Sequence, residues 1–364
     1  MGAAVTVRNI ILKVHLLAGV AAAVFVMLLG ATGSVIAWEN DIDHWLDPQF
    51  FRVQPGPRML AEADLIHAVE QRFAPARVTH VHIFREANLA RMMDMTDHST
   101  VAVDPYDGTI SGVRLGPSTT QKWVGYIHQL HTHLVPDPRI ARRAGAIGGQ
   151  VVEFAGALVI ILVPTGFILW WRAKRLHVKW SAAWYRISFD LHQSVGILVA
   201  VPLFALAMTG VLVAEEGLFY KALRSPGPSR FPQVKSVPSG EAAIGVDRAM
   251  EIARAAIPNA TATELMLPLN PQSTYQIVLR VPEETSEAAH SVVFVDQYSG
   301  HVLYASNFLT GSPGYRAVRF NRSIHTGDVW GTAGHAIASL VSLAATILAI
   351  TGVVIWLKKL AGQR

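Results

Sequence analysis

Four long apolar runs divide the chain: Val14–Ala37, Val151–Trp171, Val195–Val213 and Ala336–Leu357. Each has about the 20 residues that a helix needs to cross a bilayer core, so the pattern predicts four membrane helices. Between the runs the periodicity changes. Ala61–Phe73 puts Leu65, Ile66, Val69 and Phe73 on one helical face. Val78–Phe84 and Leu89–Met95 then read as strands, and Val101–Asp104 and Thr109–Val113 flank the turn Pro105-Tyr106-Asp107-Gly108. The later polar stretch repeats this order. A helix is predicted over Val246–Ala256, with strands near Glu264–Leu267, Tyr275–Val281, Ser291–Asp296 and His301–Ala305. Its turn, Asp296-Gln297-Tyr298-Ser299-Gly300, shares the Asp-x-Tyr-x-Gly form of Asp104–Gly108, and both predict hairpins. The proline-rich stretch Ser225–Pro238 reads as a linker.

The repetition extends to the apolar runs. His15 and His192 head the first and third, and at equal spacing Thr32-Gly33 and Thr209-Gly210 close them, followed by Glu39 and Glu216. Amphipathic segments follow each α+β stretch. Trp123–Val135 holds His128, His131 and His133, and Tyr315–Thr326 ends at His325, with Leu130-His131-Thr132 matching Ile324-His325-Thr326. Thr165-Gly166 and Thr351-Gly352 set the register of the second and fourth helices. The expected fold is a four-span helical core built as a tandem repeat, with two extracytoplasmic α+β domains. Its segments are helix 1 (1–39), domain 1 (40–118), a histidine segment (119–146), helix 2 (147–172), a cytoplasmic loop (173–190), helix 3 (191–216), linker and domain 2 (217–312), a second histidine segment (313–333), and helix 4 with its tail (334–364). The first run is longer than a signal-peptide core and has a partner in the second half, so it is read as retained.

Composition agrees with a membrane protein. The 364 residues are 51% apolar with a mean hydropathy of +0.32, too oily for an ordinary soluble domain. Lysine and arginine set the sidedness. Arg8 and Lys13, the Arg172–Asp190 segment, and Lys358, Lys359 and Arg364 are assigned to the cytoplasm, so residues near 40–146 and 214–333 lie outside it. Arg139, Arg142 and Arg143 fall on the wrong side for this rule. Either a long translocated loop escapes it, or these cations meet an anionic ligand such as haem propionates. The cytoplasmic flanks account for the net charge of +5, and no basic stripe suggests nucleic acid.

A histidine inside a membrane helix is costly and points to function. Finding it twice in register points to paired imidazoles, which in a membrane most often hold haem iron. With no cysteine, thioether attachment, thiolate clusters and disulfides are excluded, so haem would be non-covalent. His15 and His192 would face each other across the repeat axis and ligate one haem. A second, external haem would use His131 with His325, or either of them with His335 at the head of the fourth helix. Two bis-histidine haems suit outer-sphere electron transfer. Reduction of Fe(III) to Fe(II) fits that, because oxygen donors that hold Fe(III) hold Fe(II) poorly. Glu153, a carboxylate within a span, is a candidate partner for a ligand imidazole. His128 and His133 read as solvated or supporting; His80 and His82 share one strand face, solvated or able to bind metal; and Met92, Met93 and Met95, which could suit copper, read as core. No G-x-G-x-x-G or P-loop is present, so the donor is external: a quinol, a flavoprotein or a pyridine-nucleotide enzyme.

These features together resemble the PepSY-associated transmembrane family over nearly the whole chain. The resemblance rests on Val14-His15 and Leu191-His192, the two Asp-x-Tyr-x-Gly turns, Ile127-His128-x-x-His131, Ser323-Ile324-His325-Thr326-Gly327, and the Thr-Gly-x-x-x-Trp of Thr165–Trp170 and Thr351–Trp356. It implies a four-helix core with b-type haems, two periplasmic PepSY domains, and electron transfer to a periplasmic ferric siderophore, in the inner membrane of a bacterium with both termini cytoplasmic. The alternatives are a membrane-anchored PepSY module that binds or inhibits a protease without redox activity, and an accessory protein of iron transport.

Overall fold

The structure is a computed structural model. It describes residues 2–362 apart from 136–137, 173, 175, 226–231, 239, 241 and 286–290, and among these the side chains of 2–6, 138–139 and 141–146 also lie outside the description. The side chains of Arg139, Arg142 and Arg143, part of the Ser225–Pro238 linker, Arg175 and Arg364 are therefore outside the described residues.

The elements in chain order are α1 (Gly2–Ile36), α2 (Glu39–Leu46), α3 (Pro48–Phe51), α4 (Glu62–Arg72), β1 (Val78–His82), β2 (Arg91–Met95), β3 (Ser99–Val103), β4 (Ile110–Leu115) and α5 (Thr119–His133). Then come α6 (Pro138–Trp171), α7 (Trp184–Leu198), α8 (Ala200–Ala214), α9 (Glu216–Ala222), α10 (Val246–Ala256), β5 (Thr261–Met266), β6 (Thr274–Arg280), β7 (Ser291–Asp296), β8 (Val302–Ser306), α11 (Pro313–Thr326) and α12 (Gly331–Ala361). They form two compact units. One comprises Met1–Glu39, Trp123–Ala222 and Phe320–Arg364, the other Asn40–Lys122 and Leu223–Arg319.

The first unit is helical. Val7–Ile36, Ile147–Trp171 and Asp328–Ala361 are long and apolar enough to cross a membrane. Large side chains such as Leu17, Val24 and Leu340 stand exposed on these helices, as suits a lipid environment. The expected third helix is not straight. It is the pair α7 and α8, bent by 69°, so the described residues hold three such helices, or up to four if the pair is one span. Proline favours the break here. Pro202 has no N–H to offer Leu198, and its ring crowds that carbonyl, which belongs to the last residue of α7. Pro164 sits inside α6 without ending it. Helices α1 and α12 approach closely at Gly30, where a Cβ would lie 2.5 Å from the Ser342 carbonyl oxygen. Hydroxyls of Ser339 and Thr346 donate across this contact to the carbonyls of Ser34 and Met27.

The second unit is one antiparallel sheet in the order β4-β3-β2-β1-β5-β6-β7-β8. The two polar stretches therefore do not fold as separate sheets. Their first strands pair, β1 against β5, with Val81 opposite Leu265. The physical reason is the edge each four-stranded half would otherwise expose, a row of unpaired backbone groups. One core serves both halves: Leu65 and Val69 of α4, Ala249, Met250 and Ala253 of α10, and Val81, Met93, Leu265 and Ile277 of the sheet. The two Asp-x-Tyr-x-Gly turns are built alike. Asp104 and Asp296 accept the N–H of Tyr106 and Tyr298 through Oδ1, and Gly108 and Gly300 adopt φ of +76° and +72°, which a Cβ would strain. Met92, Met93 and Met95 are all buried, as expected of core residues.

Candidate functional site

Four histidines of the helical unit occupy four copies of one seat. The seat is Leu-x-x-Thr-Gly on a helix, at Leu29–Gly33, Leu162–Gly166, Leu206–Gly210 and Leu348–Gly352. His131 sits on the first, His15 on the second, His325 on the third and His192 on the fourth. The Nδ1 to Thr Oγ1 distances are 2.9 Å to Thr32, 2.9 Å to Thr165, 3.3 Å to Thr209 and 3.0 Å to Thr351.

The threonine settles the tautomer. Each hydroxyl donates its proton to the carbonyl four residues back: Thr32 to Leu28, Thr165 to Ile161, Thr209 to Ala205 and Thr351 to Ile347, all at 2.7 or 2.8 Å. With its proton so engaged, the oxygen can only accept, so Nδ1 carries the hydrogen. The leucine carbonyl acts in the same sense. His325 Nδ1 lies 3.1 Å from Leu206 O, and the carbonyls of Leu162, Leu348 and Leu29 bond His15, His192 and His131. Nε2 is left with its lone pair, the form in which an imidazole ligates a metal.

The glycine makes room for the ring. A Cβ at Gly33 would lie 3.1 Å from His131 Cε1, at Gly166 3.1 Å from His15 Cε1, at Gly210 2.7 Å from His325 Cε1 and at Gly352 3.3 Å from His192 Cε1. A side chain would force the imidazole to shift, most at Gly210 and by only a few tenths of an ångström at the other three. The seats thus fix both proton and ring direction.

The seated rings meet in pairs. The centroids of His15 and His192 are 6.3 Å apart with planes at 87°. A metal–imidazole bond is about 2 Å, so two rings on opposite sides of one metal have centroids roughly 6 Å apart. His131 and His325 are likewise neighbours. Burial pushes the His131 imidazole down to about 4, and the charges of His325 and His128 add to that.

The remaining candidates have other partners. His335 has no Thr-Gly seat; its Nε2 lies 3.1 Å from Asp328 Oδ1 and its ring stands edge-on to Trp38. Glu153 hydrogen-bonds Glu215 rather than a ligand imidazole. His128 Nδ1 lies 2.6 Å from Glu39 Oε2, which raises its pKa above the ordinary histidine value against the opposing effect of burial. His133 pairs with the hydroxyl of Thr132. Sequence reasoning used the Thr-Gly pairs only as register marks and missed them as seats. The signal was present in the leucine that stands three residues before each threonine.

Apolar helices long enough to cross a bilayer, together with an antiparallel sheet unit, mark a membrane protein. The family model described as the PepSY-associated TM region matches residues 12–359, so the chain belongs to the PepSY-associated transmembrane family. No curated protein matches the chain significantly.

Proposed function

We propose that this protein is a dihaem b-type membrane oxidoreductase. It passes electrons from the cytoplasmic side to a ferric siderophore or other ferric chelate on the opposite side. The observation that carries the reading is the fourfold seat, which engages Nδ1 of each imidazole and leaves Nε2 available as a ligand. A bare divalent cation held by two neutral imidazoles would leave its charge unmatched in an apolar bundle. Haem suits the donor set, because the macrocycle brings its own four nitrogens and charge compensation, and the absence of cysteine excludes thiolate ligation and thioether attachment.

In this reading His15 and His192 hold the inner group and His131 and His325 the outer one. Haem held by these histidines would supply one-electron, outer-sphere transfer. The chain's residues do the rest. Threonines 32, 165, 209 and 351 fix the imidazole tautomer and raise its basicity as a ligand. The glycines set ring position, and the surrounding helices keep water away. Arg322 acts on the charge state of both His128 and His325, so it contributes positive potential at the outer pair. Helices α7 and α8 form one bent third span of a four-span tandem repeat, and each half of the sheet is a PepSY-type domain outside the cytoplasm. The positive-inside distribution puts both termini and Arg172–Asp190 in the cytoplasm of a bacterial inner membrane. The electron donor is a quinol or a cytoplasmic flavoprotein.

The test is reoxidation. Purified protein is reduced with dithionite, freed of excess reductant and mixed anaerobically with a ferric siderophore. Haem should reoxidise far faster than in buffer alone. Reoxidation at the buffer rate across several chelates removes ferric reduction from the account. Reporter fusions at Ser181 and Pro228 should show opposite sidedness; equal sidedness defeats the four-span arrangement.

A further inference from the structure

The sheet unit carries a second constellation, independent of the bundle histidines. One sheet face packs on α4 and α10. The other is apolar at both ends: Phe50, Phe51, Met92 and Ala102 form a patch at one, and Val278, Val292, Phe294 and Tyr304 at the other. Between them lie His80 and His82 of β1, Asp94 of β2, Thr100 of β3 and Glu264 of β5. The ring centroids of His80 and His82 are 4.0 Å apart. His82 Nε2 lies 3.1 Å and His80 Nδ1 3.9 Å from Asp94 Oδ2, and potential ligand atoms of the three residues all lie within 4.8 Å of one another.

The duplication shows that this cluster is not what the fold requires. Val81 opposes Leu265 at the seam, so the local twofold matches His80 with Glu264 and His82 with Met266. Carried outward through the strand pairs, it matches Asp94 with Val278 and Thr100 with Val292. Where the second half has Met266, Val278 and Val292, the first half has an imidazole, a carboxylate and a hydroxyl.

We propose that His80 Nδ1, His82 Nε2 and Asp94 Oδ2 bind a first-row divalent cation of the Zn²⁺ or Fe²⁺ type. Two imidazoles and a carboxylate with further positions open to water are a donor set that such ions take. The surrounding residues supply the supports a metal site needs. Glu264 Oε2 stands 3.2 Å behind His80 Nε2, which is buried and has no aligned hydrogen bond. A small ring rotation would let that N–H donate to Glu264 and commit Nδ1 to the metal. The Thr100 hydroxyl donates to Asp94 Oδ1 at 2.7 Å, which leaves Oδ2 for the cation. Asp94 and Thr100 also line a neighbouring cavity of about 500 Å³ with Arg114, Met92 and Gln121.

Tag-free, full-length protein with its native cofactor content would be dialysed to equilibrium against Zn²⁺, and in a second anaerobic arm against Fe²⁺, with bound metal measured by elemental analysis. One saturable equivalent per chain is expected in at least one arm. It should be lost in His80→Asn/His82→Asn and weakened by about 10- to 100-fold in Thr100→Val and Glu264→Gln, which keep all three ligands. Those two single variants retain the test if the double variant fails to fold. No saturable equivalent in either arm, or binding unchanged in all the variants, would overturn the site and leave the cluster a hydrogen-bonded strand face.

Discussion

The helical and sheet units use duplication in opposite ways. In the helical unit the seated histidines are repeated with their supports: four imidazoles, four threonines and four glycines at matching positions. In the sheet unit the repeated parts are structural, namely the helix over the core and the Asp-x-Tyr-x-Gly turns, whereas the ionisable groups differ between halves. His80, His82 and Asp94 belong to the first half, and Glu284 to the second. The difference teaches where function needs two copies. The proposed bis-imidazole centres would each draw one histidine from either half, which would require both copies to keep theirs. A sheet needs its twofold only for its core and is free to differ elsewhere.

The largest expected effect breaks or confirms the pairing. His15→Ala and His192→Ala should each remove the same half of the haem and give matching residual spectra, because in the proposed arrangement both would hold the same group. If the two variants deplete different spectral components, the histidines serve different centres. Next in size are the glycines. Gly210→Ala places a methyl 2.7 Å from His325 Cε1 and should release the outer haem, whereas Gly352→Ala, at 3.3 Å from His192 Cε1, should keep the inner haem with a shifted potential. Equal haem content and unaltered potentials in both would show that the seat does not hold the ring. Replacing the threonine is milder. Thr165→Val and Thr351→Val should weaken inner-haem retention by about 10- to 100-fold, measured as transfer to apomyoglobin, and the two should agree.

The smallest effect tests the unduplicated side of the comparison. Burial pushes the Glu284 carboxyl up to about 7, against the N–H of Val281 and the hydroxyl of Ser291, which favour the ionised form. The folded state then binds the proton more tightly than the unfolded state does. Stability is greatest below the ordinary glutamate value and falls as pH rises from there to about 7. Glu284→Gln should therefore stabilise the sheet unit at pH 8 by about 1–3 kcal/mol and change little at pH 4. A gain of the same size at both pH values would contradict the assignment.

Much of this was legible in the chain. The apolar runs, the repeated α+β order and the paired turns announce themselves through local periodicity. Four of the five expected ligand histidines occupy equivalent seats. What was hidden depends on contacts between distant segments. Thr165 lies 150 residues from His15 and Thr209 116 from His325, so no local pattern marks one as the partner of the other. The joining of β1 to β5 is long-range in the same way. The contact of His335 Nε2 with Asp328, seven residues away, is likewise a property of the fold and not of the local pattern. The bend at Val199 follows from Pro202, yet Pro164 lies within an unbroken helix, so the proline alone does not decide between them.

The central claim is that four seated imidazoles make two haem centres. The most direct measurement is haem quantitation by pyridine haemochrome on protein produced with ample haem, alongside the His325→Ala variant. The account predicts two acid-extractable haem b per chain in the native protein and one in the variant. Native protein without a Soret band, or a variant that keeps the full haem content, would contradict it.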